Sequence, residues 1–147
     1  MDISASLTYS ITKTGNLLRQ VSAKRIKQAG IELTPEESVL MNQLWDRDNQ
    51  QIAELKQWSI KEASTLTRQI DQLVRKGLVT RAHGEDDRRA VFISLTAEGK
   101  ALREGFATTG IDQLDSDMVN ASEEQADELL RLLIAIQKKA QAELQSR

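Results

Sequence analysis

A short run of charge, Asp86-Asp87-Arg88-Arg89, places two carboxylates directly before two guanidinium groups. Clustered carboxylates can exchange protons or hold a metal ion, and both roles usually involve further partners such as histidine. The chain has a single histidine, His83, and no glycine-rich phosphate loop lies beside the charged run. We therefore predict a solvated or arginine-paired role for Glu85, Asp86 and Asp87, a solvated His83, and no catalytic residue, metal or cofactor.

Composition excludes several classes of protein. The 147-residue chain has no cysteine, which excludes disulfides, thiolate metal sites and thiol-based redox sensing. Its longest apolar run, Leu132–Ile136, is far shorter than the roughly 20 residues that cross a bilayer. The first residues lack the basic and apolar regions of a signal peptide, so we expect a cytoplasmic protein with no membrane partner.

Charge is distributed unevenly along the chain, whose formal net charge is −2. Residues 51–96 carry eight basic and six acidic side chains, whereas residues 97–147 carry six basic and ten acidic ones. The middle third is therefore mildly basic. This excess alone does not establish nucleic-acid binding, because local clustering of charge matters more than a total.

Apolar periodicity and capping residues predict a series of helices. A helical stripe spans residues 5–28 and ends before Gly30. Thr34-Pro35-Glu36-Glu37 is a capping box with proline at the first helical position, and Ser122-Glu123-Glu124-Gln125 is a second capping box. A polar break at residues 46–50 and a short helix that ends near Trp58 are expected after the first of these boxes.

The central part of the chain changes from helical to strand periodicity. A longer helix is predicted for residues 62–76, and Gly77 ends it. Its expected inward residues are Leu66, Ile70, Leu73 and Val74. Residues 78–81 and 91–95 are short and rich in β-branched side chains, and the polar segment between them predicts a β-hairpin with a charged tip. Thr96 is then expected to cap one helix that carries Leu102, Phe106, Ile111, Leu114 and Met118.

This order of elements predicts a fold that is mainly α with a small β-hairpin, a winged helix-turn-helix. A helix fits the major groove of DNA, and a thin charged ribbon can reach the minor groove beside it. The flanking helices have more apolar side chains than a small lobe needs, so we expect the N- and C-terminal helices to dimerise. The predicted division is 1–32 and 97–147 for dimerisation and 33–96 for the winged lobe.

Two segments resemble the MarR family of transcriptional regulators. Residues 64–81, STLTRQIDQLVRKGLVTR, are similar to that family's recognition helix and first wing strand. Residues 86–99, DDRRAVFISLTAEG, are similar to its wing and to the start of its fifth helix. Where the family commonly has Asp-Pro in the wing, this chain has Gly84-Glu85, which predicts a more flexible tip.

The resemblance implies a homodimeric bacterial transcription factor, usually a repressor, that a small molecule releases from DNA. It also implies that the first half of the recognition helix enters the major groove of double-stranded DNA. The implied contact residues are Lys61, Ser64, Thr65, Thr67 and Arg68. Arginine can bind guanine O6 and N7 bidentately, and hydroxyl groups can contact base edges or phosphates. Ser64 or Thr65 can instead serve the start of the helix.

The resemblance assigns roles to the wing as well. Arg89 is expected to enter the minor groove, where a narrow A·T-rich segment concentrates negative potential. Asp87 is expected to hold Arg89 by a charge-assisted hydrogen bond, and Arg88 to contact phosphate. The alternative is that all three residues form a solvated turn.

An effector site is implied between the dimer helices and the DNA-binding lobe. Apolar walls there would suit a small aromatic or phenolic effector, but the same residues would also describe an ordinary core. The candidate lining residues are Leu17, Val21, Leu40, Met41 and Trp45.

A second function stays open at this point, a winged-helix module that binds a protein partner and not DNA. Loss of Arg68 and Arg89 would have favoured that function, and both arginines are present.

Overall fold

The computed structural model describes residues 1–60, 63–108 and 113–146. The chain divides into two compact units, Met1–Asp112 and Gln113–Arg147. In chain order the elements are a short 3-10 turn Ile3–Ala5, α1 Leu7–Gln28, α2 Pro35–Asp46, β1 Gln50–Gln51, α3 Ile52–Lys56, α4 Ala63–Arg75, β2 Val79–His83, β3 Val91–Leu95, α5 Ala97–Thr108, α6 Leu114–Met118 and α7 Glu123–Gln145. They confirm a mainly helical fold with a small β-hairpin.

The helix ends are fixed by local capping chemistry, as predicted. At the start of α2 the Thr34 hydroxyl accepts a hydrogen bond from the backbone N–H of Glu37, and the Glu37 carboxylate accepts one from the N–H of Thr34. Ser122 and Gln125 form the same reciprocal pair at the start of α7. Gly77 follows α4 with φ +75°, a left-handed conformation in which glycine carries no steric penalty.

The sheet has three antiparallel strands in the order β1-β3-β2, one strand more than predicted. Gln50–Gln51 forms the short strand β1, at the end of the expected polar break. Two polar residues give no strand pattern, and the pairing instead follows from a tertiary contact. The Asp48 carboxylate accepts a hydrogen bond from the backbone N–H of Leu95 and so brings this segment to β3.

The core of the first unit lies where α2, α3 and α4 meet the sheet. Its fully buried members are Leu40, Met41, Leu44, Leu55, Leu66, Ile70, Leu73, Val79 and Ile93. The prediction that Val74 also faces inward was wrong, because its side chain is 38% exposed. Leu66, Ile70 and Leu73 form a stripe that already fills the space against the core, and Val74 lies beside it.

The expectation of one helix from residue 97 to residue 118 also needs correction. Thr96 caps α5 as predicted, since its hydroxyl accepts a hydrogen bond from the N–H of Gly99. However, α5 ends at Thr108 and a separate short helix, α6, begins at Leu114. Gln113, directly before α6, has φ −98° and ψ 9°, which is not a helical conformation, and a continued apolar spacing does not reveal such a break. Ile111, which the single helix was expected to carry, lies outside the described residues.

The second unit consists of α6 and α7. All of α7 is described, and none of its residues is buried. Its exposed large apolar side chains are Leu129, Leu130, Leu132, Ile134, Ile136 and Leu144. A helix with this much apolar surface open to solvent is typical of an element that packs against a partner.

Candidate nucleic-acid interface

Helix α4 owes its orientation to a narrow apolar stripe. Leu66, Ile70 and Leu73 are buried in the core, spaced so that they share one face of the helix. The opposite face is therefore open, and Ser64, Thr67 and Arg68 are exposed there or at its edge. Thr65 is half-buried. The structure thus places four of the predicted contact residues on the first half of one helix, and Lys61 lies outside the described residues.

A cleft of about 480 Å³ opens beside Arg68 and Thr65. It is bounded by these two α4 residues and by polar residues from the start of α2 and from the middle of α4. The other lining residues are Thr34, Glu36, Glu37, Gln69 and Gln72.

The two carboxylates that the described part of the chain places in this cleft are paired with cations. Lys76 Nζ donates to both oxygens of the nearly buried Glu37 carboxylate, each at 3.1 Å. Arg19 donates bidentately to Glu36, with its shortest contact at 2.7 Å. These hydrogen bonds to Glu36 raise the pKa of Arg19 above its usual value. Neutralised carboxylates matter here, because unpaired ones beside Arg68 would repel an approaching phosphate backbone.

The hairpin of β2 and β3 is regular up to its tip. The register pairs Val79 with Leu95 at the base and His83 with Val91 at the end. At the tip the N–H of Gly84 donates to the carbonyl of Ala90 at 2.9 Å. Residues 84–90 therefore form a closed loop that projects beyond the paired strands.

His83 has a specific role that the sequence did not reveal. Its Nδ1–H donates to the backbone carbonyl of Arg88 at 2.7 Å, across the loop. The expected solvated histidine is indeed exposed, but it also fixes the backbone of the segment that carries the wing arginines. A histidine beside a run of turn residues gives no pattern from which this contact could be predicted.

The predicted contact between Asp87 and Arg89 is present in the structure. Asp87 Oδ1 accepts from the backbone N–H of Arg89 at 3.0 Å and from its Nε at 3.4 Å. The Arg89 side chain is nonetheless 94% exposed. Asp87 thus restrains the start of this side chain and leaves its guanidinium facing solvent. Arg88 is also exposed, on the same loop.

One further ion pair connects helix α4 and the hairpin of β2 and β3. Arg81 on β2 donates from its Nη2 to Asp71 Oδ1 on α4 at 2.7 Å, and each side chain is 37% exposed. Ten positions separate these residues in the sequence, and no local pattern predicts that they meet.

The five candidate effector residues fall in different environments. Leu40 and Met41 are enclosed in the core, whereas Leu17 on α1 is exposed and Val21 is half-buried. Trp45 is half-buried against the core, donates from its indole N–H to the carbonyl of Gly99 at 2.9 Å, and meets Phe106 edge to face. The enclosed residues of this set act as core in the isolated chain.

Among the described residues, no helix combines the length and apolar composition that are needed to cross a membrane.

Comparison with known proteins agrees with this geometry. The MarR family model matches residues 33–91. The HTH-type transcriptional repressor YetL of Bacillus subtilis (strain 168) is 37% identical over 70 residues, which are 48% of this chain and 42% of that protein. The match therefore spans less than half the length of this curated relative.

Solved structures extend the likeness to nearly the whole chain. Bordetella bronchiseptica BpsR, a protein whose DNA binding is regulated by 6-hydroxynicotinic acid, has a TM-score of 0.78 at 19% identity, over 93% of this chain and 96% of that chain. S. aureus MepR in its DNA-binding conformation has a TM-score of 0.77 at 19% identity, over 92% of this chain and 98% of that chain. At such identities the likeness establishes the fold alone. The family match thus covers most of the winged lobe, and the fold that this chain shares with these solved structures extends beyond it.

Proposed function

We propose that this chain is a sequence-specific transcriptional repressor that binds double-stranded DNA as a homodimer and is released by a small-molecule effector. The observation that carries the proposal is the geometry of a single lobe. It presents Arg68 on the open face of α4 and Arg89 at the exposed tip of the hairpin. A helix suits the major groove, and an arginine on a ribbon suits the adjoining minor groove.

The contact residues follow from this placement. Ser64, Thr65, Thr67 and Arg68 face the major groove, and Lys61 precedes them in the sequence. Arg89 enters the minor groove under the restraint of Asp87, and Arg88 contacts phosphate. Such a protein acts on chromosomal DNA, so the proposed location is the cytoplasm.

Homodimerisation is supported by the apolar surface of the terminal helices. Leu7, Ile11 and Leu17 of α1 are exposed, and no residue of α7 is buried. We assign residues 1–32 and 97–147 to the dimer and residues 33–96 to the winged lobe. A two-fold dimer requires a pseudo-palindromic site with half-sites about one helical turn apart, roughly 10–10.5 base pairs.

For the effector we propose a small aromatic or phenolic acid. BpsR, which shares this fold, responds to 6-hydroxynicotinic acid, an aromatic acid. Leu17, Val21 and Trp45 are at least partly exposed and can contact such a molecule. Leu40 and Met41 are buried and would support the site by packing beneath it.

A gel shift tests the proposed function directly. The full chain is titrated onto DNA from upstream of its own gene at two salt concentrations, with unrelated DNA of equal length as competitor. We expect a complex that resists the competitor and weakens as salt rises. Equal affinity for both DNAs would contradict sequence-specific binding. Absence of any complex would favour the protein-interaction module instead.

The dimer is tested separately by light scattering after size exclusion. We expect twice the chain mass for the intact protein, and an aggregated or unfolded product when the residues after Glu124 are deleted. A soluble folded monomer that still binds the same DNA normally would contradict the assignment of α7 to the dimer.

A further inference from the structure

The Asp71–Arg81 ion pair connects the two parts of the lobe that the proposed function brings to DNA. Asp71 follows Arg68 by three positions and therefore lies near it on the open side of α4. Arg81 lies in the middle of β2, directly opposite Ile93 of β3. The 2.7 Å contact thus runs from the recognition helix to the strand that leads into the wing tip.

The hairpin has few other anchors along this edge. In β2 only Val79 is buried, and residues 80–83 are all exposed. Ile93 anchors β3 in the core, but beyond it no residue on the way to the tip is fully buried in either strand. The pairing of β1 with Ile93 and Phe92 holds the β3 side of the hairpin, so the direction of the β2 side relative to α4 depends on side-chain contacts such as that of Arg81.

The pair is poorly suited to stabilise folding. Both side chains are more than one-third exposed, and ion pairs in such surroundings contribute little to the free energy of unfolding. It also cancels a charge on each partner, so Arg81 does not act as a free cation at the DNA surface. The main physical effect of the Asp71–Arg81 ion pair is to restrain the distance and the angle between α4 and β2.

We infer that Asp71 and Arg81 are positioning residues that hold the wing at a fixed angle to α4, so that Arg68 and Arg89 enter neighbouring grooves together. This inference rests on the proposed DNA binding. It follows that the contribution of Arg89 to DNA binding depends on a distant contact, because Arg89 contributes fully only when the Asp71–Arg81 ion pair is intact.

A purely electrostatic role makes a different prediction. Removing a cation with Arg81→Ala should then weaken DNA binding, and removing an anion with Asp71→Asn should strengthen it. Positioning predicts instead that both variants reduce the contribution of Arg89. The two variants change net charge in opposite directions, so they separate charge from geometry.

The experiment is a set of double-mutant cycles on the full-length dimer. The probe is a duplex that the wild-type chain selects from a randomised library. The binding cost of Arg89→Ala is measured in the wild-type, Asp71→Asn, Arg81→Ala and Arg47→Ala backgrounds. Arg47 is the matched control, because it forms a comparable ion pair with Glu54 at 3.0 Å in the same lobe, and neither partner belongs to the hairpin.

We expect Arg89→Ala to weaken binding about tenfold in the wild-type and Arg47→Ala backgrounds, but less than about threefold in the Asp71→Asn and Arg81→Ala backgrounds. An equal cost in all four backgrounds would overturn the inference, as would the absence of any cost in the wild type. If the wild-type chain selects no duplex, the proposed function itself has failed, and the inference fails with it.

A measurement without DNA completes the test and guards against unfolded variants. Asp71→Asn preserves the shape of the side chain, so the lobe should keep its circular dichroism spectrum. Amide hydrogen exchange of residues 80–83 should be at least about threefold faster in Asp71→Asn than in Arg47→Ala. Equal exchange rates in the two variants would mean that the pair does not restrain the hairpin.

Discussion

Helix α4 and the tip of the hairpin are held in opposite ways. Helix α4 is fixed along one face by three buried side chains, and Lys76 just beyond it is bound to the nearly buried Glu37. The tip, residues 84–90, contains no buried residue and is closed by a few hydrogen bonds. A rigid helix suits the reading of base edges, which requires exact donor and acceptor positions. A compliant tip suits a groove whose width varies with sequence.

The largest expected effect concerns the burial that fixes α4. Leu73→Ala removes a fully buried side chain and should lower the free energy of unfolding by about 2–5 kcal/mol. The adjacent Val74→Ala, at a half-exposed position of the same helix, should change it by less than about 1 kcal/mol. Urea unfolding at constant protein concentration measures both. Equal losses would show that α4 is not fixed by its apolar stripe.

The root of the wing should be nearly as sensitive as the core. A Cβ added at Gly99 would lie only 2.1 Å from the backbone oxygen of Leu78, the residue that precedes β2. Gly99→Ala should therefore cost about 1–3 kcal/mol of stability, because neither backbone can yield easily. In the same helix Gly105→Ala meets only an ordinary contact at 3.6 Å and should stabilise by about 0.5–1 kcal/mol. Thermal unfolding that ranks the two variants in the opposite order would contradict the close approach.

At the DNA surface, the helix should show the sharper sequence dependence. Arg68→Ala should cost about 1–3 kcal/mol of binding and relax the base preference at one position in each half-site. Binding to a library of operator variants measures both quantities. A uniform loss with unchanged preferences would mean that Arg68 contacts phosphate and not a base.

The wing should show the milder and broader dependence. Arg89→Ala should weaken binding about tenfold across sequences, with the greatest loss on A·T-rich flanks, and reduce the salt slope by about one per protomer. Asp87→Ala should act in the same direction but less strongly, because it frees the Arg89 side chain without removing it. Affinities at several salt concentrations measure the slopes. A wild-type slope in Arg89→Ala would mean that the wing does not contact DNA.

The same contrast explains which features could be predicted from the sequence. The capping boxes at Thr34 and Ser122 and the end of α4 before Gly77 depend on residues within four positions of each other, and all were predicted correctly. The hairpin was predicted because short segments rich in β-branched residues lie on both sides of a polar turn. Its Asp87–Arg89 bond is also local, and it was predicted from the wing motif.

Features that depend on tertiary geometry escaped prediction. Strand β1 forms because Asp48 meets the backbone of β3, and Asp71 meets Arg81 only after α4 and β2 are packed. Leu40 and Met41 were indistinguishable from cleft residues, because an apolar type says nothing about which side of the helix has room. Local chemistry thus predicts elements and turns, whereas contacts between elements require the structure.

The most direct test of the central claim is a hydroxyl-radical footprint of the full chain on its own upstream DNA. We expect two symmetric half-sites about one helical turn apart, with flanking minor-groove protection that disappears in Arg89→Ala while the central protection remains. Arg68→Ala at the same occupancy should keep the flanking protection. A single asymmetric site at full affinity, or a footprint that Arg89→Ala leaves unchanged, would contradict the account of a dimer that reads both grooves.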